Sequence, residues 1–393
     1  MKTAILSAVL LASLSTTEAE IGTGVLMIWP TARSTALAGA MTGLADEADA
    51  TYFNPAGLAF QTTAKAGINY ANWLPGLYQG MYYASAAGGT PVRLPFLRGR
   101  NAFIAGSLTH LTSGEIDIVS ERGDFLGRFT SWRGVLGVHV GIMASDAVGL
   151  GLGLKLLHSH LETELAWWWP ATSRAELGLD LGGTGTSVAI DAGLIVRLHH
   201  RLSTGLCVAN LGPEMSYRYA NPWLNINGDY SAPPPHSVRI GACWTPVESR
   251  YLRLRVMPEL DKVLIGMFCD TTGTKTFCRM LGEEWKDAWK ALGIEATAFG
   301  VLTFRLGYFE DLTNQRGGLV YEKDRWNTEH YGIGDVLAGR HLGKFKSIGL
   351  CWGFGIGYKD YFRFDVSSDA AIYDFPTKNW KMQLTCNDIG GLL

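Results

Sequence analysis

From residue 65 onward, apolar and polar positions alternate with a period of two, in runs broken by Gly, Pro, Asn and Asp. A period of two places successive side chains on opposite faces of an extended chain, so each run predicts a strand with two unlike faces. Fourteen runs are read: 65–73, 79–87, 101–111, 130–144, 148–161, 186–197, 202–211, 236–245, 250–267, 291–299, 302–309, 347–358, 361–366 and 379–385. Pro258 interrupts the ninth. In VGLGLGLKLLHSHLE, from Val148 to Glu162, Val and Leu alternate with Gly and Lys until the phase slips at Leu156-Leu157.

The connections fall into two sets. Every second one is short, at 145–147, around 199–201, at 247–249, at Gly300 and at 359–360; the stretch 88–100, with two prolines, is the exception. The others run long, at 112–129, 162–185, 212–235, 268–290 and 310–346. Short turns at one rim, long loops at the other and an even strand number describe an outer-membrane barrel, with the short turns facing the periplasm. Closure also satisfies every edge hydrogen bond, which a bilayer cannot do. The fold expected is all-β: a fourteen-stranded antiparallel transmembrane barrel. Trp73, Trp132, Trp167, Trp244, Tyr358 and Trp380 lie near strand ends and are candidates for interfacial girdles.

Ahead of the strands, ARSTALAGAMTGLADEADATYFNPAGLA (32–59) is of another kind. Small residues make a short helical segment, an acidic turn comes next, and Asn54-Pro55-Ala56 closes it. Pro55 fixes its own φ and drives Asn54 out of the helical region, so the chain turns there. Such a segment suits a plug inside a narrow lumen. The bland alternative is a helix in front of a soluble domain with an ordinary Asn-Pro loop. The division expected is a signal peptide at 1–19, an N-terminal hatch at 20–62 and the barrel at 63–393. Lys2, the apolar core 4–14 and Thr17-Glu18-Ala19 support the first of these.

Composition agrees with a barrel. Charged residues make up 18%, below the usual ~25%, and 48 of the 393 residues are Gly. After the first residues no apolar run approaches the ~18 needed for a helical span. The net charge of −2, with no basic run, makes nucleic acid an unsuited partner. Six cysteines are scattered; Cys269 and Cys278 flank a turn-like loop, and either a disulfide there or two unpaired thiols fits.

Little points to catalysis, and neither a cofactor nor a metal is called for. His158 and His160 share one strand face, and His199-His200 sit in a turn, but no third ligand stands at a metal-site spacing; lumen or rim polarity explains them better. Glu115 and Asp117 fall in a loop-like stretch without partners. GLGLG (149–153) opens no helix, so it is not a nucleotide loop. Two loop features suit partner binding instead. Trp167, Trp168 and Trp169 put three large aromatics on a long loop, where a partner, lipid or the loop's own base must cover them. LGEEWKDAWKAL (281–292) places Trp285, Ala288, Trp289 and Leu292 at helical spacing, as a rim helix that packs on the barrel, on a partner or over the lumen.

The segment 32–59 resembles the N-terminal hallmark of the PorV/PorQ outer-membrane proteins of the type IX secretion system. Later runs fit the same pattern in order: GLGLGLKLLHSHLE, AIDAGLIVRLHHRLSTGLCVANLGPEMSY, APPPHSVRIGACW, RLGYFEDLTNQRGG and FDVSSDAAIYDF. EEWKDAWKALGIEATAF and DAAIYDF favour the PorV kind. The resemblance implies a FadL-like barrel whose hatch turn is Asn54-Pro55-Ala56. It implies a role in secretion, with three partners besides outer-membrane lipid: the large translocon barrel, cargo carrying C-terminal signal domains, and the surface attachment complex. Two features depart from it. The chain runs past Trp380 to NDIGGLL rather than ending on an aromatic, and the loop 310–346 is unusually long. Three readings fit the sequence: a PorV-like secretion component, a FadL-type channel for hydrophobic small molecules, or a soluble exported β-protein.

Overall fold

The computed structural model describes residues 24–75, 80–93, 101–119, 125–160, 184–221, 226–265, 267, 276–310, 319–322, 325–328, 349–358, 361–369 and 379–389. Its strands are β1 (Lys65–Asn72), β2 (Tyr82–Arg93), β3 (Asn101–Val119), β4 (Phe125–Ser145), β5 (Val148–His160), β6 (Thr184–His199) and β7 (Leu202–Leu211). They continue with β8 (Met215–Asn221), β9 (Ile226–Ala232), β10 (Ser237–Glu248), β11 (Leu252–Val263), β12 (Trp289–Ala298) and β13 (Leu302–Glu310). The last are β14 (Leu319–Glu322), β15 (Arg325–Thr328), β16 (Gly349–Tyr358), β17 (Phe362–Asp369) and β18 (Asn379–Cys386). Fourteen of them close into one antiparallel barrel in which β1 pairs with β18, and each answers one of the runs read from the sequence. β8–β9 and β14–β15 are separate hairpins within the two long connections 212–235 and 310–346.

Period-two patterning becomes two surfaces. On β5 the side chains of Leu150, Leu152, Leu154 and Leu156 are exposed on the outer face, while Gly149, Gly151 and Gly153 face the lumen. The expected phase slip is absent. The ladders to β4 and β6 run unbroken through Leu156 and Leu157, because Leu157 occupies a lumen-facing position and is buried in one apolar cluster with Val25, Leu26 and Tyr83. Pro258 likewise does not break its strand: it points outward on β11 and pairs with Leu292. The ladder to β10 lapses between Gly241↔Glu259 and Trp244↔Val256, opposite a residue with no N–H to donate. β3 extends to Val119, so Glu115 and Asp117 lie in strand and pair with Thr130 and Arg128.

The outer face carries an aromatic ladder at the long-loop rim. Tyr70, Tyr82, His110, Trp132 and His158 succeed one another across five strands with ring centroids 5.0–5.9 Å apart, and His160 lies 6.2 Å from Trp132. His158 and His160 thus belong to the outer girdle, not the lumen. Trp132, Trp244, Tyr358 and Trp380 are outward as expected of girdle residues. Trp73 is not: β1 ends at Asn72, and its ring turns inward beside Tyr83 and under Lys381.

The segment 24–64 fills the lumen. It holds a single 3-10 turn (Gly24–Met27), helix α1 (Ala32–Ala36), helix α2 (Ala50–Phe53) and a second 3-10 stretch (Pro55–Phe60). A capping box between Thr31 and Ser34 starts α1. Glycines on eight strands form a collar around it: Gly141, Gly151, Gly193, Gly205, Gly241, Gly293, Gly307 and Gly353. A Cβ on Gly151 would lie 2.1 Å from the Ala56 N and the Pro55 carbonyl carbon, and one on Gly205 would lie 2.1 Å from the Thr42 carbonyl oxygen. The wall therefore lacks side chains where the plug's backbone touches it.

Gly151→Leu and Gly205→Leu force a side chain into this contact, at a cost of about 1–3 kcal/mol or more. Either variant is expected to keep the heat-modifiable gel mobility of an assembled barrel while its segment 24–62 becomes open to protease. An unchanged digestion pattern would count against the collar.

Candidate functional site

The lumen segment is pinned at one side by charge. Arg33, 1% exposed on α1, donates from Nε to Glu295 (2.9 Å) and from Nη1 to Asp46 (2.6 Å), with Glu47 at 3.0 Å. Arg255 bridges Asp46 and Glu295 at 3.0 and 3.1 Å. Arg305 binds Glu295 at 2.8 Å and Asp365 at 2.6 Å, and Arg363 joins Asp365 to Glu47. Four arginines face four carboxylates. The plug contributes Arg33, Asp46 and Glu47, and the wall contributes the rest, so plug and wall carry opposite net charge within the network. None of this was read from the sequence beyond the acidic turn; the period-two pattern shows only that a charged residue faces inward.

Burial alone would raise the carboxyl of Asp46, but Arg33 and Arg255 hold it well below the usual range. Asp49, one turn on, is the opposite case. Burial and the charge of Glu47 push it up to about 7, although Thr31 Oγ1 donates to it at 2.9 Å. A raised carboxyl favours the neutral acid in the folded chain. The stability tied to Asp49 is therefore complete below the free carboxyl's 3.8 and is lost as pH rises from there to about 7.

Asn54-Pro55-Ala56 lies at the wall side of the plug. Asn54 is fully buried; its Oδ1 accepts from Ala56 N at 3.1 Å, and its Nδ2 donates to the carbonyls of Thr42 and Leu194, both at 3.1 Å. Pro55 opens the second 3-10 stretch, so the expected turn forms, and the Asn54 amide is spent tying plug to β6.

Close by, β7 carries a bulge. The ladder to β6 shifts between Ile190↔Leu211 and Ala192↔Val208, and Asn210 adopts φ 60°. Asn210 N donates to Asp191 at 2.8 Å and Lys155 Nζ to Asn210 Oδ1 at 2.9 Å, with Lys155 and Asp191 paired at 2.6 Å. Toward the long-loop rim this bulge borders a mostly apolar cleft between plug and wall, lined by Leu26, Met27, Trp29, Phe53, Trp289 and Phe309, with Arg239, Glu259 and Asp261 also at its edge. Trp29 and Phe309 meet edge to face at 5.1 Å. The cleft has room for about 30 Å³, which is water-sized. At the short-turn side the lumen widens into polar basins of about 370 and 700 Å³, bordered by Arg253, Arg255, Lys65, Arg197 and Arg201.

The other loop candidates fare differently. Trp167, Trp168 and Trp169 lie outside the described residues. So does Cys269, while Cys278 is a free, exposed thiol, so the bridge is not formed at that end. The rim helix exists but is displaced: α3 spans Phe277–Asp287, and Ala288 leaves the helix as an extended residue. Trp289 is therefore not on its apolar face. It begins β12, pairs with Asp261 and faces the cleft, because barrel closure takes the ladder up to that residue. Trp285 stays on the helix and is exposed.

Arg33→Met leaves the buried Glu47 and Glu295, and the partly exposed Asp46, short of a cation and is expected to cost about 3–5 kcal/mol, read as a lower heat-modification midpoint. Asp49→Asn removes a charge that folding resists. It is expected to raise that midpoint most at pH 8, less at pH 5 and not at all at pH 3; an equal effect at all three would separate Asp49 from the titration.

No family model matches the chain, and no curated protein matches it. Solved structures do match. A Pseudomonas aeruginosa FadL homologue aligns with a TM-score of 0.51 at 11% identity, over 91% of this chain and 98% of its own. The Ralstonia pickettii toluene transporter TbuX gives 0.44 at 10% identity, over 90% and 95%. The Pseudomonas putida toluene transporter TodX gives 0.43 at 11%, over 86% and 91%. None of the three comparisons bears on type IX secretion. The likeness to the first structure is one of fold: a closed fourteen-strand antiparallel barrel of the kind found in FadL-like outer-membrane channels.

Proposed function

We propose that this chain is an outer-membrane channel for small hydrophobic molecules, closed in the state described. The observation that carries this reading is the mostly apolar cleft between the start of the plug and the wall, toward the long-loop side and bordered by the Asn210 bulge. A small apolar ligand is received by a few aromatic and aliphatic surfaces, and Trp29, Phe53, Trp289 and Phe309 supply them. At about 30 Å³ the cleft holds no such ligand until a neighbour moves. On this reading the piece that moves is 24–29. It is held by one 3-10 turn, by the apolar cluster that buries Val25, Leu26 and Ile28 with Val135 and Leu157, by Tyr52 Oη donating to Leu26 O (2.6 Å) and by Lys381 Nζ donating to Trp29 O (2.5 Å). The glycine collar and the arginine network hold the rest of the plug.

A second reading keeps the PorV-like secretion role, with the translocon barrel, signal-bearing cargo and the attachment complex as partners. What favours it is the same pinning: a plug locked by four arginines suits a permanent seal.

The two readings separate in a mild-detergent purification from the native outer membrane. A lone barrel carrying bound lipid or a hydrophobic small molecule supports the channel. Copurification of a very large barrel protein, or of secreted proteins sharing one C-terminal domain, supports secretion and removes the channel reading. In cells that depend on this chain for uptake of a labelled hydrophobic compound, Phe309→Glu is expected to cut uptake about tenfold, the equivalent of about 1.4 kcal/mol. Barrel assembly should persist, as judged by gel mobility.

A further inference from the structure

Helix α3 leans over the outside of the barrel, not over its mouth. Its Glu284 pairs at 2.6 Å with Lys262 of β11, and Lys290 of β12 donates to the carbonyls of Trp285 (2.7 Å) and Ala288 (3.0 Å). Both lysines occupy outward positions. Glu259 and Asp261 on β11, and Ala291 and Gly293 on β12, face the lumen, so the residues between them face away. Leu260, between Lys262 and the exposed Pro258, is half-covered at this height. The helix thus lies on the wall's outer face, at the top of a strand whose next outward residue, Leu292, is exposed in the lipid-facing band.

Phe277, Leu281 and Trp285 are 65%, 51% and 60% exposed. Spaced by four, they form one stripe along α3. On a helical projection the stripe adjoins Glu284, which faces the wall, while exposed Arg279 and Gly282 lie on the far side. Three arcs result: one against the barrel, one apolar, one polar. That order is the one required of a helix lying in a membrane interface beside a wall, with its apolar arc turned down toward the acyl chains. The Lys290 Nζ, 5.0 Å from the Trp285 ring, sits where an indole and an ammonium meet headgroups.

We propose that α3 is an interfacial helix, seating Phe277, Leu281 and Trp285 in the outer leaflet and extending the barrel's lipid contact sideways above β11 and β12. The occupant of the stripe is the lipid surface.

The test uses the full chain in nanodiscs of phosphatidylcholine brominated either close to the headgroup or near the chain ends, with tryptophan fluorescence compared between the wild type and Trp285→Phe. Quenching attributable to Trp285 is expected in the first lipid and to be much weaker in the second. Trp352→Phe is the control, since Trp352 is an outward strand residue and must report quenching whichever way α3 lies. If Trp285 shows no lipid quenching while Trp352 does, the proposal is overturned; added iodide then tells water (Trp285 quenched) from a covering protein surface (Trp285 shielded). A companion variant, Leu281→Asp, should weaken the Trp285 lipid signal with unchanged heat-modifiable mobility. If that signal is untouched, the stripe is not seated in lipid.

Discussion

The structure depends on backbone meeting backbone inside the lumen. Fourteen strands enclose more space than inward side chains can fill, and the segment 24–64 fills it only because the wall gives up its side chains where the two touch. Gly151 against Pro55-Ala56 and Gly205 against Thr42 are the closest approaches. A plug seated this way leaves its polar groups in a low-dielectric space, and Asn54 and Arg33 answer that problem differently. Asn54 spends its amide on carbonyls of plug and wall, and Arg33 spends its guanidinium on carboxylates of both. Removing either partner would strand a buried group.

That constraint makes the plug uneven. Between Ala32 and Phe60 it is gripped by the collar, the capping box and the arginine network. Ala38 and Ala45 even hold φ of 53° and 36°, a conformation that costs an alanine about 1–2 kcal/mol and persists only where the surroundings impose it. Before Ala32 the grip is a single turn, a few hydrogen bonds and the apolar packing of Val25, Leu26 and Ile28, with neither collar nor arginine network, next to a mostly apolar cleft and a strand bulge. Motion, where it occurs, is drawn from the least supported element. That element is the one facing the long-loop side.

The outer surface obeys a different rule. Lipid asks only for apolar outward positions between aromatic girdles. Leu150 to Leu156 and the ladder from Tyr70 to His158 supply both, the latter with two imidazoles that serve as ring material. Helix α3 continues this surface beyond the strands.

The chain's local pattern was enough to read fourteen strands, the two unlike rims and the turn at Asn54, because strand alternation and the φ of proline are properties of neighbouring residues. Local pattern misled where a long-range partner overruled it. Leu157 looked like a phase slip until the plug covered it. Trp289 looked helical until the ladder with Asp261 claimed it. Trp73 looked like girdle until it turned inward to Lys381. The glycines of β5 were visible but their purpose was not, since nothing in VGLGLGL names the segment a hundred residues earlier that they admit. The arginine network was least legible of all: Arg33, Asp46, Glu295 and Arg363 meet across more than three hundred residues of chain. Sequence set which face each side chain takes; only closure of the barrel around its own N-terminal segment decided which of them touch.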